Sequence, residues 1–189
     1  MEVVDGNIDR FGILYERYKI PVYGYFYKLT SGNSQASEDL SHNVFFKALK
    51  YKHSFKGTGT FARWLFSIAH NLGIDYLRKN TLYHTDKIDP ELKDEEINGT
   101  ERLELKESKA ILNLSLNKLK YSDREILIMA KIRELKYSEI AEINKCSESA
   151  VKTRICRALK KLKDLYVEFE KTSYEKKEYY RTKDQGSAK

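Results

Sequence analysis

Seven basic residues fall between positions 145 and 163: Lys145, Lys152, Arg154, Arg157, Lys160, Lys161 and Lys163, against one acid, Glu148. Within that stretch Val151, Ile155, Leu159 and Leu162 recur at spacings of four, four and three, the period of a helix with one apolar face. Ser149, Lys152, Thr153, Cys156, Arg157 and Lys160 then share the opposite face. Arginine and lysine are the side chains that reach guanine O6 and N7 in the major groove, whereas phosphate accepts any cation or N–H group. The chemistry this pattern offers is duplex recognition. Its candidate contacts are Ser149, Lys152, Thr153, Arg154, Cys156 and Arg157, with Lys152 and Arg157 placed to read bases and Arg154 to hold phosphate. The competing reading is an ordinary solvated face of an amphipathic helix.

Other chemistries find little support. No Ser/His/Asp set, phosphate-cradling glycine loop or metal cluster stands out. The two cysteines, Cys146 and Cys156, have no histidine at ligand spacing and cannot build a disulfide framework or a four-cysteine zinc site. No catalytic residue, metal or cofactor is expected, and Cys156 reads as a small packing or groove-contact residue.

The elements that must carry the basic face are legible upstream. Ser147 is placed to cap the long helix, which runs from Glu148 to about Leu165. Asn144-Lys-Cys146 before it is a tight connector, in which asparagine is the residue that best tolerates the left-handed conformation. Ser138–Ile143 forms a short helix whose Ile140 and Ile143 should meet the apolar face of the long one. Ser122-Asp-Arg-Glu125 fits a capping box opening a further helix through Ile126, Met129 and Ala130. Short helix, tight turn and longer helix, in that order, make a helix-turn-helix.

A separate block occupies residues 8 to about 80. Ile8, Phe11, Tyr15, Tyr18, Val22, Tyr25 and Leu29 keep helical spacing, and Pro21 splits them into two short helices or kinks one. Leu40, Val44, Ala48 and Tyr51 mark a second helix, and Phe61, Leu65, Ile68, Leu72 and Tyr76 a third. Phe55 to Gly59 reads as the loop between them. Trp64 belongs with the apolar cluster of Phe61, Leu65 and Ile68. Between the blocks, residues 84–107 hold nine acids and four bases, with Pro90 and Gly99, and read as an extended acidic linker with a helix starting near Glu101. The tail after Tyr166 is polar and tyrosine-rich and extends the last helix for some turns before fraying.

Composition agrees. Of 189 residues, 35 are Lys or Arg and 28 Asp or Glu, for a net charge of +7 that favours nucleic acid as a partner. Hydrophobic residues at 41% suffice for a core, and only 9 glycines and 2 prolines argue against strands and turns. No run of about 18 apolar residues is present to span a bilayer. The opening Met-Glu-Val-Val-Asp lacks the basic stretch and apolar core of a secretory leader, so the expected compartment is the cytoplasm.

Three stretches, in order, carry a family resemblance. Ala36-Ser-Glu-Asp-Leu-Ser-His-Asn-Val-Phe-Phe-Lys-Ala48 is the first. Phe55-Lys-Gly, Phe61-Ala-Arg-Trp-Leu-Phe-Ser-Ile-Ala-His-Asn71 and Asp75-Tyr-Leu-Arg-Lys79 make the second. The third runs from Leu119 through Arg124-Glu, Tyr137-Ser-Glu-Ile-Ala-Glu142 and Cys146-Ser-Glu-Ser-Ala-Val-Lys-Thr-Arg154 to Arg157-Ala-Leu159. Together they resemble the extracytoplasmic-function group of bacterial sigma factors, the smallest members of the sigma-70 family.

The resemblance implies an all-α chain of two small helical domains joined by a flexible acidic linker, the second a helix-turn-helix. Residues 1–83 would be sigma region 2, which binds core polymerase and melts and reads the minus-ten element. Residues 84–104 would be the linker, 105–165 the region 4 helix-turn-helix that reads the minus-thirty-five element, and 166–189 a polar tail. It implies Glu38, Asp39 and His42 as polymerase contacts. It implies Phe55 and Lys56 in the loop that captures a base of the melted strand, with Asn71 offering an amide. The partners it implies are core RNA polymerase, promoter DNA and an anti-sigma factor. The sequence departs from the family pattern at His42-Asn43, often glutamine-glutamate, and at Lys145, often glycine in the turn. A free-standing helix-turn-helix regulator, with an N-terminal sensing or dimerisation domain, is the rival function; it has no need for a surface that reads single strands.

Overall fold

The computed structural model describes residues 8–55, 57, 59–81, 100–132 and 135–186, and all regular structure among them is helical. Three helices make the first bundle: α1 (Ile8–Leu29), α2 (Ser34–Lys50) and α3 (Phe61–Thr81), with a single 3-10 turn at Lys52–Ser54. Four make the second: α4 (Thr100–Lys118), α5 (Tyr121–Ala130), α6 (Tyr137–Ile143) and α7 (Glu148–Gly186). The linker expected at residues 84–104 lies outside the described residues up to position 99.

The first bundle follows from one apolar stripe on each helix. Tyr18, Val22, Tyr25, Phe26 and Leu29 of α1 meet Leu40, Val44, Phe45 and Ala48 of α2 and Ala62, Leu65, Phe66 and Ala69 of α3, all buried. Burying a large apolar side chain is worth about 1.5–3 kcal/mol, so this stripe is what holds three helices together. Pro21 sits inside α1 without dividing it into two. The ends are satisfied locally. The Asn33 side chain accepts from the Ala36 amide at 2.9 Å to start α2, and the Thr60 hydroxyl accepts from the Arg63 amide at 3.1 Å to start α3. Arg78 and Lys79 fall in the last turn of α3, where the helix dipole favours cations.

In the second bundle Ile126, Met129, Ile140 and Val151 are fully buried, with Ile143, Ile155 and Ala158 beside them. Ala158 takes the inward position expected of Leu159, which is 47% exposed. The inward spacing of 151, 155 and 158 follows the helix's 3.6-residue period better than a second interval of four would. Nor does α7 stop near Leu165. It continues to Gly186, and the Ser173 hydroxyl donates to Glu107 of α4 at 3.0 Å.

The expected capping box at Ser122 and Glu125 is corrected. Helix α5 starts at Tyr121 after Lys120, which gives no side-chain cap, and Glu125 is buried with its carboxylate turned to the first bundle. There it accepts from the Tyr25 hydroxyl at 2.5 Å and pairs with His70 Nδ1 at 2.9 Å. The two bundles therefore share a seam. Arg124 donates across it to the Ser31 hydroxyl at 3.1 Å and the Leu29 carbonyl at 3.4 Å, at the carbonyl end of α1. Burial lowers the Arg124 pKa, and α1's partly negative terminus supplies compensation for its charge.

Candidate nucleic-acid interface

The basic face is built from α6, a turn and α7. The turn closes with the Lys145 amide donating to Glu142 O at 3.2 Å and the Cys146 amide to Ala141 O at 3.0 Å, the bond pattern of a Schellman motif. The left-handed residue is Lys145, at φ 53°, and not Asn144, at φ −86°. Asn144 spends its side chain differently: Nδ2 donates to the Ile140 carbonyl at 3.0 Å. Ser147 caps α7 as expected, its hydroxyl accepting from the Ala150 amide at 3.1 Å.

Val151 and Ile155 are buried against this frame, and that fixes the rotation of α7. Ser149, Lys152, Thr153, Cys156 and Arg157 consequently all stand exposed. Two cations have partners. Lys152 Nζ pairs with Glu148 one turn back at 2.7 Å, which raises its pKa. Arg154 Nε lies 3.4 Å from Asp123 Oδ1 of α5, half-buried, so it is braced between the two helices. Asp123, Ser147, Ser149, Thr153, Arg154 and Arg157 line one open crevice. Hydroxyls and guanidinium groups around a capped helix start suit phosphate oxygens.

The second candidate surface lies in the first bundle. Phe55 packs edge-on to Phe61 with ring centroids 5.8 Å apart and tilts against Trp64 at 5.5 Å. Trp64 Nε1 donates to the Ser54 hydroxyl at 3.3 Å. These half-buried rings form an aromatic ledge beside the loop before α3. Asn71 is exposed on α3, seven residues past Trp64 and so about 10 Å further along the helix. Lys56 lies outside the described residues.

The third surface is on α2. Glu38, Asp39 and His42 are all exposed, and Gln35 Nε2 donates to Asp39 Oδ1 at 3.2 Å. Glu38 and His42 border a crevice with Tyr15, Lys19, Ile20 and Phe45. Phe46 and Ile20 are 66% and 73% exposed here. Sequence reasoning passed over both. The available signal was that each large apolar residue falls off the inward stripe of its own helix.

Comparison with known proteins places both bundles. The family model of Sigma-70 region 2 matches residues 14–82, and that of Sigma-70 region 4 matches residues 109–162. The chain is 32% identical to the RNA polymerase sigma factor YlaC of Bacillus subtilis, over 79% of this chain and 88% of that protein. It is 34% identical to the ECF RNA polymerase sigma factor SigW of the same organism, over 87% and 95%. Among solved structures it resembles CnrH in complex with the cytosolic domain of CnrY, at 25% identity and TM-score 0.63 over 87% of this chain and 92% of that one. The fold is also that of RpoE bound to the anti-sigma factor NepR from Bartonella quintana, at 21% identity and TM-score 0.64 over 82% and 96%. With the two regions in order and relatives matched along nearly their whole length, the chain belongs to the extracytoplasmic-function group of the sigma-70 family of RNA polymerase sigma factors.

Proposed function

We propose that this sigma factor directs core RNA polymerase to one class of promoter through three surfaces with separate tasks. The observation that carries the reading is the single exposed face of α7, where Lys152, Thr153, Cys156 and Arg157 stand together on a helix locked by the Schellman turn. A rigid helix with forked donors on one side suits the major groove. Residues 105–165 read the upstream element, Arg157 and Lys152 contact base edges, and Ser149, Thr153 and Arg154 hold the backbone.

Residues 1–83 bind polymerase and open DNA. Exposed Glu38, Asp39 and His42, beside the apolar Phe46 and Ile20, form an acidic and apolar handle for a basic site on the polymerase. Phe55 on its aromatic ledge, with Lys56 and Asn71, captures a base of the melted strand. Stacking is worth about 1–3 kcal/mol per base, which offsets part of the cost of unpairing. Residues 84–104 tether the two domains, and 166–189 form a tail. No covalent step is assigned to this chain, because the polymerase supplies the active site.

The setting is the cytoplasm, with the polymerase and the chromosome. No helix among the described residues is long and apolar enough to cross a membrane. An anti-sigma factor is a further partner, as NepR is for RpoE.

The opening step has its own test. Phe55→Ala and Asn71→Ala holoenzymes should assemble normally and form few open complexes on duplex promoters, read by permanganate footprinting of exposed thymines. A pre-melted bubble should restore them in part. Duplex opening at the parent's level by both variants would remove the capture role from Phe55 and Asn71.

A further inference from the structure

One cleft belongs to none of the three surfaces. It opens between the bundles, where Leu112 and Leu116 of α4, Leu159 and Leu162 of α7 and Ile132 after α5 face α1. Leu112 and Leu159 are 40% and 47% exposed, so the chain itself leaves them half covered. The cavity measures about 460 Å³, inside the range of about 300–1,000 Å³ that holds a single small molecule. A helix about 10 Å across fills roughly 420 Å³ per 5.4 Å turn, so a peptide helix finds room for about one turn only.

The α1 side of the cleft is bare. Gly24 lines it from inside α1, where glycine weakens a helix relative to alanine. Packing within the chain does not account for this glycine, because a Cβ there would meet nothing within 4 Å. Gly73 of α3 differs: a Cβ on it would overlap the Tyr121 hydroxyl. The missing side chain at Gly24 therefore widens the cleft and serves no neighbour. The edge is cationic. Lys28 and Lys131 border the cleft from α1 and from the end of α5, and both are exposed. Neither has an ion pair among the described residues, and no described acidic side chain lines the cleft. An aliphatic trough with unpaired ammonium groups at its edge suits a ligand that is apolar along its length and anionic at one end.

We propose that this cleft binds a single-chain anionic amphiphile of the fatty-acid class: the acyl chain lies along Leu112, Leu116, Leu159 and Leu162 over the bare backbone of Gly24, and the carboxylate pairs with Lys28 and Lys131. Lysine ammonium groups are point donors on flexible stems, so they follow a carboxylate without imposing one fixed geometry. The walls come from both bundles, so the ligand ties α1 to α4 and α7, and an occupant held only by the folded arrangement stabilises it. The inference goes beyond promoter choice and does not depend on it.

The test titrates the full-length chain with N-phenyl-1-naphthylamine, an uncharged apolar fluorophore, and displaces it with decanoate or with 1-decanol, which has the same chain length and no charge. The parent should bind the fluorophore saturably at one molecule per chain. Decanoate should displace it and should raise Tm. Gly24→Leu places a side chain where the acyl chain lies and replaces glycine by a better helix former. It should weaken fluorophore binding at least tenfold without lowering Tm. The double variant Lys28→Gln/Lys131→Gln should keep the fluorophore and 1-decanol affinities of the parent and lose at least tenfold toward decanoate. Absence of saturable binding in the parent overturns the inference. So does binding by Gly24→Leu at the parent's affinity, or a lysine variant that treats decanoate and 1-decanol as the parent does or loses both equally.

Discussion

Lys145 offers a test of the helix-turn-helix geometry that does not depend on DNA. Its φ of 53° lies in the left-handed region, which costs an L-residue about 1–2 kcal/mol. The turn holds it there through the Lys145 and Cys146 amides, both spent on carbonyls of α6. Glycine adopts the same conformation without the Cβ clash. It also loosens the unfolded chain, returning about 0.4–1 kcal/mol of the gain. Lys145→Gly should therefore stabilise the chain by about 0.5–1 kcal/mol. For a chain of this length that is a rise in Tm of roughly 1–4 °C. Lys145→Ala removes the same charge and keeps the strained backbone, so its melting curve should stay within about 1 °C of the parent's under the same scaling. Differential scanning calorimetry of the three proteins separates backbone strain from charge. Equal shifts for glycine and alanine would refute the left-handed assignment and point to relief of charge repulsion instead.

Three further outcomes are expected. Burial and the Glu125 carboxylate hold the Tyr25 phenol well above its ordinary pKa, and burial does the same to Tyr121. The folded state keeps those protons while the unfolded chain releases them above pH about 10, so stability is complete below that pH and falls above it. Denaturant midpoints between pH 8 and 11 should drop less in Tyr25→Phe than in the parent, and equal slopes would mean the phenol is solvated. Asp39→Ala should leave Tm unchanged, because the side chain is exposed, yet weaken core-polymerase binding at least tenfold by titration. Folding loss with normal affinity would make Asp39 a structural residue. Arg157→Ala should relax sequence preference at one position of the upstream element at a cost of about 1–3 kcal/mol. Arg154→Ala should weaken binding evenly across a randomised promoter pool, and a changed preference there would reverse the two roles.

The helices were legible because each carries its own period. Leu40, Val44 and Ala48 announce α2, and Val151 with Ile155 sets the rotation of α7 that exposes Lys152 and Arg157. The seam was not legible. Its pairs join residues 55 to 100 positions apart, and nothing in a single sequence distinguishes Glu125 as a buried partner of Tyr25 from Glu125 as a helix cap. The local signal at Ser122 and Glu125 was real, but a tertiary partner took the carboxylate. Asn144 misled for a related reason. Its tolerance of the left-handed region is a propensity, and here its amide gains more by bonding Ile140 and leaves the strained position to Lys145. Leu159 was misplaced by extending a four-residue spacing one step too far. The exposed Phe46 and Ile20 were readable in principle, as large apolar residues facing away from their own cores.

The central claim is that this chain gives polymerase its promoter choice through the exposed face of α7. The measurement that tests it most directly is transcript 5′-end mapping on a genomic template, with core RNA polymerase alone, with the parent chain and with Arg157→Ala. The parent should create a set of start sites absent from core polymerase alone, sharing an upstream motif at one fixed distance. Arg157→Ala should keep the spacing and broaden the motif at one position. Start sites identical with and without the chain, together with tight binding of the isolated chain to duplex DNA, would contradict the account and favour a free-standing regulator.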